Sequence, residues 1–512
     1  MITTERNRFN GGMTNDPRDP NTNMFRVVSN FDVLTRPGKM TPYRSSESGD
    51  TDAATNKIKN YQIALRTGTT YSLYGLAQTS SKAKILYKDL TTGSANDLDD
   101  SAWTNTANNT SASGATNFNL FIYYKKTGLV YGARAGSHIW AYDPAGSIAF
   151  GDTERALSYT NITQGLVHSK DDILYVGYDN KLAKNDNGSW TDAALTFPSH
   201  FVITSLSEYG NYLAIACAPL SGIGNSRVYL WDRDATLTTL AESVDWGVGS
   251  LMILEEVDGF LVGISQRGGS ASSITGNPAG TISFGDRVIF QYLNGTRAEK
   301  FMEMQGGSNT TKLAITKQKV NSRLYFSMLI SFNGAVRDGV FSIGRSSPSS
   351  PFALIHERTS NNNTALATSD SIFSFFAVGD YLFISYSTTA GSVVAMSKTL
   401  ATATYSHNSV AETVRFNAGD SSLKKDMHGI TIKHEYLPSG ASVIVKYRVD
   451  QNASWTTMLS STTADAISAS AVAQEGLPKD YKELELQMLS TGGAEITGYS
   501  FKEEITGKRS YE

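Results

Sequence analysis

The sequence predicts an all-β chain: a β-propeller of about seven blades, an extended N-terminal arm and a C-terminal β-sandwich. The composition combines 25 Tyr and 22 Phe with only 18% charged residues, which favours strands over helices. Short apolar runs separated by turn residues recur from about residue 60 to about residue 400, and clean alternation follows. The predicted domains are residues 1–58, 59–404 and 405–512.

The N-terminal arm is polar and contains Gly11-Gly12, Asp16-Pro17 and Arg36-Pro37-Gly38, which fix particular local shapes. Within it, the run "MFRVVSNFDVLT" at 24–35 supplies apolar side chains that a free tail would not need. We therefore expect an ordered arm, with a disordered tail as the alternative. An N-terminal strand commonly completes the last blade of a propeller, and this run is the predicted closing strand.

The propeller is predicted from tight hairpins, in which a turn pair separates two apolar runs. The run after each turn is apolar at nearly every position, as expected for a strand buried on both faces. The predicted units occupy residues 61–90, 118–143, 164–186, 202–234, 250–293, 311–344 and 372–398. The turn pairs are Thr127-Gly128, Asp171-Asp172, Gly210-Asn211, Asp258-Gly259, Asn321-Ser322 and Gly379-Asp380. Ordinary hairpins of a β-sandwich are the alternative interpretation.

The C-terminal region alternates with period two, which predicts strands half buried against a second layer. Ile430, Ile432 and His434 share one predicted face, and Val443, Val445 and Tyr447 share another. The intervening segment 459–474 fits either a connecting loop or a short helix.

Charge and cysteine content limit the possible functions. The net charge is −3, from 45 basic and 48 acidic residues, and so lacks the basic excess typical of nucleic-acid binding. The single cysteine, Cys217, lies in the apolar run "NYLAIACAPL" and is predicted to be buried; synthesis in a reducing cytoplasm fits this chemistry. The N-terminus has no apolar leader, and we expect no membrane segment.

A search for catalytic motifs finds no GxSxG, HExxH or GxxxxGK[ST]. His428 and His434 would lie roughly 20 Å apart on one strand, too far to share a metal ion. "SANDLDD" at 94–100 lacks the glycine and terminal Glu of a calcium loop. "VDQNASW" has Asp450 and Trp455 at the spacing of a sialidase Asp-box, but Arg448 and Asn452 replace its Ser/Thr and glycine.

These observations predict no catalytic residue, no cofactor, no metal and a chain that is not an enzyme. Glu255-Glu256 precede a hairpin turn and are expected to be exposed. Paired acids that are distant in sequence remain a possible hydrolytic site.

The arm resembles the N-terminal arm of tailed-bacteriophage virion proteins, particularly the tail nozzle (tail tubular protein B-like) proteins of short-tailed phages. That family combines such an arm with β-propeller and β-sandwich modules. The residues that carry the resemblance are Asn10, Gly11, Gly12, Pro17, Pro20, Asn30, Phe31, Arg36, Pro37 and Gly38.

The resemblance implies a structural virion component of the tail or head-to-tail machine, made in the host cytoplasm. Its partners would be ring, adaptor, portal or tail proteins and further copies of itself in a ring, with genome DNA passing nearby without specific binding. The predicted interface residues of the arm are Phe25, Val27, Val28, Phe31, Val33, Arg36 and Pro37.

Two other functions compete with this prediction. A receptor- or glycan-binding or glycan-cleaving propeller on the phage tail could use Tyr and Trp of its polar loops to stack on sugars. A WD-type scaffold is less compatible with the sequence, because "LWDRD" at 230–234 is the one Trp-Asp at a strand end and no Gly-His is paired with it.

Overall fold

We describe a computed structural model of the chain. It describes residues 1–14, 23–36, 38–44, 46–48, 57–78, 82–90, 97–98, 103–105, 112–113, 116–134, 138–146, 153–157, 162–221, 224–234, 242–267, 281–284, 287–305, 311–332, 335–360, 371–379, 381–387, 394–399, 404–405, 408–418, 420–472 and 476–506.

The described residues form strands and turns and no helix, so the all-β prediction is confirmed. No helix in this part of the chain therefore has the length and hydropathy needed to cross a bilayer. The N-terminal strands are β1 (Ile2–Arg6), β2 (Phe25–Ser29), β3 (Phe31–Asp32), β4 (Thr41–Pro42) and β5 (Ser46–Ser48).

The chain divides into two compact units. Unit 1 consists of Met1–Ser46, Phe341–Thr364 and Ala401–Glu512, and unit 2 consists of Glu47–Val340 and Ala365–Leu400. The predicted division into residues 1–58, 59–404 and 405–512 used contiguous segments, whereas unit 1 collects three separate ones. Its N-terminal strands pair with strands from the C-terminal part of the sequence, and such pairing cannot be read from local patterns.

Unit 2 is the β-propeller, and its described strands fall into seven blades. The first blade contains β6 (Lys57–Thr67), β7 (Thr70–Gln78), β8 (Lys82–Asp89), β9 (Thr104–Asn105) and β10 (Ala112–Ser113). The second contains β11 (Thr116–Tyr124), β12 (Leu129–Arg134), β13 (His138–Tyr142) and β14 (Thr153–Ala156). The third contains β15 (Ile162–His168), β16 (Ile173–Tyr178), β17 (Lys181–Asp186) and β18 (Ser189–Thr196).

The remaining blades follow the same plan. The fourth contains β19 (Phe201–Tyr209), β20 (Tyr212–Pro219), β21 (Asn225–Trp231) and β22 (Glu242–Val248). Next along the chain are β23 (Ser250–Val257), β24 (Phe260–Arg267), β25 (Thr281–Phe284), β26 (Arg287–Asn294) and β27 (Arg297–Gln305); β25 belongs to the sixth blade and the others form the fifth. The sixth blade also contains β28 (Thr311–Val320), β29 (Arg323–Phe332) and β30 (Ala335–Gly344), and unit 2 ends within β30, after Val340.

The seventh blade closes the propeller. It contains β32 (Ser371–Val378), β33 (Tyr381–Ser387), β34 (Val394–Thr399) and, as its fourth strand, β5. The first strands of the blades contact one another in cyclic order: β6, β11, β15, β19, β23, β28, β32 and again β6. The predicted closing strand at 24–35 is wrong, because the short polar strand β5 completes this blade.

The predicted hairpin turns are confirmed between the first two strands of six blades. Two of these turns have two consecutive residues with positive φ, the backbone shape that a tight hairpin requires. In these turns φ is 49° for Asp258, 82° for Gly259, 48° for Asn321 and 59° for Ser322. Asp380, in the last of the predicted pairs, lies outside the described residues.

A glycine in the second strand of several blades lets a large side chain lie directly on the backbone. A Cβ on Gly132 would stand 1.9 Å from the Trp140 ring, and a Cβ on Gly263 would stand 2.5 Å from the Trp246 ring. Gly177, in the same strand of the third blade, meets Ile203 in a similar way. This repeated glycine fixes how closely the buried aromatic side chains pack.

Unit 1 is a β-sandwich. Its other strands are β31 (Ala353–Arg358), β35 (Ser409–Thr413), β36 (Lys425–His434), β37 (Ser442–Val449), β38 (Thr456–Ser461), β39 (Ser468–Val472), β40 (Leu484–Thr491) and β41 (Ile496–Ile505). One sheet has the order β1-β41-β36-β39, and the other contains β31-β2-β35-β40-β37-β38. The predicted alternation is confirmed, since Ile430, Ile432 and His434 are buried. In the undecided segment 459–474, residues 459–461 end β38 and residues 468–472 form β39, while residues 473 and 474 lie outside the described residues.

Candidate functional site

The first strands of the propeller blades surround an axis, and their edges carry backbone groups that need hydrogen-bond partners. Side chains from adjacent blades supply many of them. Gln164 of the third blade accepts a hydrogen bond at 2.7 Å from the backbone N–H of Leu206 in the fourth. Ser374 of the seventh blade donates to the carbonyl of Ile58 in the first, at 2.7 Å. The axis is therefore held by specific polar contacts as well as by apolar packing.

The fourth and fifth blades are joined by three small hydroxyl side chains of β19. Thr204 donates at 2.5 Å to the carbonyl of Leu251. Ser205 accepts from the N–H of Leu254 at 3.1 Å, and Ser207 accepts from the N–H of Glu256 at 3.1 Å. These hydroxyls satisfy backbone groups of β23 that would otherwise be unpaired.

Lys317 lies at the centre of this network. Its ammonium donates to the carbonyl of Leu206 at 2.7 Å and to the carbonyl of Leu254, and it pairs with Glu255 Oε2 at 2.9 Å. One side chain of the sixth blade thus connects the fourth and fifth blades. Only 8% of this side chain is exposed, so these partners replace most of the hydration of the charge.

Gln318, the next residue, joins the sixth and seventh blades. Its amide group donates to the carbonyl of Ala377 and accepts from the N–H of the same residue, each at 2.7 Å. A side-chain amide used in this way forms the same pair of hydrogen bonds as a neighbouring strand would.

A cavity of about 420 Å³ lies beside this network. Residues of β6, β11, β15, β28 and β32 line it, so it opens among the first, second, third, sixth and seventh blades. Its polar side chains include Gln62, Gln164, Thr316 and Lys317, and its aromatic side chains include Tyr123 and Phe376. Burial raises the pKa of Tyr123, so its phenol stays uncharged at neutral pH.

The structure places the predicted interface residues of the arm as follows. Phe25, Val27, Val28, Phe31 and Val33 are buried within unit 1, each exposing 3% or less of its surface. Arg36 is exposed, and its Nη1 lies 3.3 Å from Oε1 of Glu495. Pro37 lies outside the described residues. Contacts of these residues with other subunits stay a prediction.

Of the other residues considered from the sequence, Cys217 has the expected surroundings. Cys217 is fully buried, and burial raises its pKa, which disfavours the reactive thiolate. Asp450 accepts from the N–H groups of Lys482 and Glu483 at 2.8 and 2.9 Å, so it stabilises a turn. No group of acidic, histidine or cysteine side chains in the described ranges could hold a metal ion.

The expected exposure of the Glu255-Glu256 pair is wrong. The side chain of Glu255 is only 17% exposed and pairs with Lys317, and that of Glu256 is 22% exposed and pairs with Lys319. Sequence reasoning also missed Lys317, Gln164 and Gln318, which connect blades. The available signal was modest: each is a long polar residue within the first strand of a repeat, and Lys317 and Gln318 stand in a polar run from Thr316 to Lys319.

No protein-family model and no curated protein sequence matches this chain. Among solved structures, the chain is similar to an exo-β-1,3-galactanase from Phanerochaete chrysosporium, with 10% identity, a TM-score of 0.29 and coverage of 90% of this chain and 100% of that one. It is also similar to a putative 6-phosphogluconolactonase from Bacteroides fragilis, with 13% identity, a TM-score of 0.38 and coverage of 65% and 88%. A third similar structure is the dihydro-heme d1 dehydrogenase NirN, with 9% identity, a TM-score of 0.32 and coverage of 58% and 57%.

These comparisons correct one prediction. The prediction that the chain is not an enzyme is contradicted, because the similar solved structures are named as enzymes. The low identities and TM-scores transfer none of the three activities to this chain.

Proposed function

We propose that this chain is an assembly component of a tailed-phage virion, in the tail or head-to-tail machine, and that it acts through protein–protein contacts. The observation that carries the proposal is the position of the residues that resemble the nozzle arm. Among them, Gly11, Gly12 and Asn30 occupy structurally demanding positions of unit 1, so the resemblance includes residues on which its fold depends.

The glycine pair of the arm packs against the backbone of unit 1. A Cβ on Gly11 would stand 2.5 Å from the carbonyl oxygen of Asn23. Gly12 has a φ of 68°, and a Cβ there would stand 2.7 Å from the Cβ of Ala353. Neither position has room for another residue type, which gives the Gly-Gly of the resemblance a physical reason.

Asn30 connects several segments of unit 1. Its φ of 61° is a left-handed conformation that asparagine tolerates better than most residues. Its side chain accepts from the N–H of Thr359 at 3.3 Å and donates to the carbonyl of Asn408 at 3.3 Å. Its backbone carbonyl accepts from the hydroxyl of Ser409 at 2.8 Å. Asn30 thus fixes the turn between β2 and β3.

The Arg-Pro-Gly turn of the resemblance places charge on the surface. Arg36 exposes 61% of its side chain and pairs with Glu495, while Gly38 has a φ of 90°. Lys39 pairs with Glu435 at 2.5 Å, and this hydrogen bond raises the pKa of Lys39. The exposed Arg36 is accessible to another subunit. We propose that unit 1 uses this turn to contact further copies of the chain or other ring, portal or tail proteins.

The test is immuno-electron microscopy of particles of the phage that encodes the chain, together with mass photometry of the purified protein. We expect labelling at the tail or neck and a ring-sized oligomer in solution or with its ring partner. Arg36→Glu should weaken this assembly without changing the thermal midpoint, because the side chain is exposed. A matched control is Lys502→Glu on β41. A protein that is strictly monomeric and absent from purified particles would overturn the proposal.

The alternative is a receptor- or glycan-binding propeller on the phage tail. It is supported by the cavity of about 420 Å³ described above, which we call the axial cavity. Its amide, hydroxyl and aromatic side chains are those that commonly contact sugars. Glycan binding by purified protein would distinguish this function from assembly alone.

A further inference from the structure

The axial cavity contains polar groups whose hydrogen-bonding capacity is only partly used. Gln62 donates from its amide nitrogen to the carbonyl of Ile63 at 3.0 Å, and its amide oxygen accepts no hydrogen bond from a described residue. Gln164 uses its oxygen on Leu206, and its amide nitrogen has no partner among the described residues. The hydroxyl of Thr316 is buried and lacks a hydrogen-bond partner in the same part of the chain. An acceptor, a donor and a hydroxyl therefore remain for a ligand.

The charges at this site favour a ligand without charge. Two ammonium groups line the cavity, and both have partners. The ammonium of Lys317 contacts two carbonyls and the carboxylate of Glu255, and that of Lys59 lies 3.2 Å from the centroid of the Phe373 ring. No carboxylate occurs among the described lining residues, so nothing there would bind a cation. A ligand must instead supply both donors and acceptors, as the hydroxyl groups of a sugar do.

The walls and the size of the cavity fit the same class of ligand. Tyr123 and Phe376 are half-buried and offer ring surfaces against which the C–H groups of a sugar can pack. The volume of about 420 Å³ lies within the range of small-molecule sites, about 300–1,000 Å³. We propose that this cavity binds an uncharged saccharide of one or two residues through Gln62, Gln164 and Thr316.

The inference rests on the alternative function above and is independent of the assembly proposal. It concerns unit 2 alone, whereas virion assembly is tested by particle labelling and oligomeric state. A chain that assembles but binds no sugar, or the reverse, would separate the two proposals.

The experiment measures binding to the full chain by isothermal titration calorimetry and saturation-transfer NMR. The probes are maltose, cellobiose, lactose, sucrose and N,N′-diacetylchitobiose, with sodium sulfate as the anionic comparison. We expect at least one disaccharide to bind, with a dissociation constant in the range of about 10 μM to 10 mM. Sulfate should not compete with it.

Two variants locate the binding. Gln164→Glu keeps the oxygen that accepts from Leu206 and removes the free amide donor, whereas Thr316→Val removes the hydroxyl with little change in shape. Each should weaken binding by about tenfold, the effect of one lost buried hydrogen bond. Thr457→Val, at an exposed position of β38 in unit 1, is the control and should leave affinity unchanged.

Three results would overturn the proposal. They are no binding of any disaccharide up to about 50 mM, equal binding by wild type and both cavity variants, or displacement of the sugar by sulfate. Because the first result concerns the wild-type chain, it holds even if one of the variants fails to fold.

Discussion

Lys317 in unit 2 and Glu485 in unit 1 are both charged and largely buried, but their partners differ. The Lys317 ammonium contacts two backbone carbonyls and one carboxylate from two other blades. The Glu485 carboxylate contacts the guanidinium groups of Arg415 and Arg448, each with an Nε at 2.9 Å, and of Arg26, with its Nε at 3.6 Å. Backbone carbonyls cannot move to new partners, whereas arginine side chains can.

This difference indicates what each charge stabilises. Lys317 of the sixth blade joins the fourth and fifth blades, so its loss leaves fixed acceptors in two blades without their partner. Glu485 joins neighbouring strands of one sheet, β2, β37 and the segment after β35, and its arginines have further carboxylates nearby. Arg26 also pairs with Glu412, and Arg415 lies 3.6 Å from Glu483. We therefore expect the propeller to depend more strongly on its buried charge than the sandwich does.

The largest expected effect is that of Lys317→Met. The substitution keeps the length of the side chain but leaves Glu255 and the carbonyls of Leu206 and Leu254 without their partner. The free energy of unfolding should fall by about 3–5 kcal/mol, as is typical when one member of a buried ion pair is removed. Urea denaturation followed by tryptophan fluorescence measures this change.

Lys319→Met is the matched control on the same strand. Lys319 pairs with Glu256 but is 40% exposed, so the loss should be no more than about 1 kcal/mol. Equal effects of the two substitutions would contradict the central role of Lys317.

Glu485→Gln should have an intermediate effect. The amide keeps the shape and one acceptor but removes the charge that the three arginines surround. We expect a loss of about 2–3 kcal/mol, the range for hydrogen bonds to charged groups. Glu504→Gln, in an exposed pair with His428 on the same unit, should change stability by about 0.5 kcal/mol or less. A loss from Glu485→Gln that exceeds the loss from Lys317→Met would reverse the comparison between the two units.

The smallest effect on stability is expected at Glu503, a buried carboxyl. Among the described residues it accepts one hydrogen bond, from the hydroxyl of Tyr481 at 2.6 Å. Burial raises the pKa of Glu503, so the folded protein retains this proton to higher pH than the unfolded chain does. The resulting stabilisation is complete below the unfolded pKa of about 4.3 and is lost as pH rises through the folded pKa.

Glu503→Gln should therefore remove part of the decrease in stability with rising pH. The measurement is the difference in thermal midpoint between wild type and variant at several values between about pH 4 and pH 8. A difference that does not vary with pH would show that Glu503 has the same pKa in both states.

The sequence predicted the local parts of this fold better than its long-range parts. The turns at Asp258-Gly259 and Asn321-Ser322 follow from residues that tolerate positive φ, and the buried second strands follow from their continuous apolar runs. The closing strand was assigned to the wrong segment because an apolar run was preferred to the polar strand β5. A closing edge strand forms mainly backbone hydrogen bonds, and these leave little trace in side-chain composition.

The candidate site was not predicted, because its contacts join residues that are far apart in sequence. Lys317 and Leu206 are separated by 111 positions, and Gln318 and Ala377 by 59. A lysine or glutamine on a strand is surrounded by the same kind of local sequence whether its side chain faces water or a neighbouring blade. The assignment of these residues required the order of the blades around the axis.

Closure of the ring by β5 has a consequence for synthesis on the ribosome. The strand β5 precedes the first blade, whereas its partner β34 belongs to the last. At translation rates of about 5–20 residues per second, the closing strand waits tens of seconds for the blade that it completes. Throughout that interval the nascent ring is open, and the exposed strand edges are available to chaperones or to aggregation.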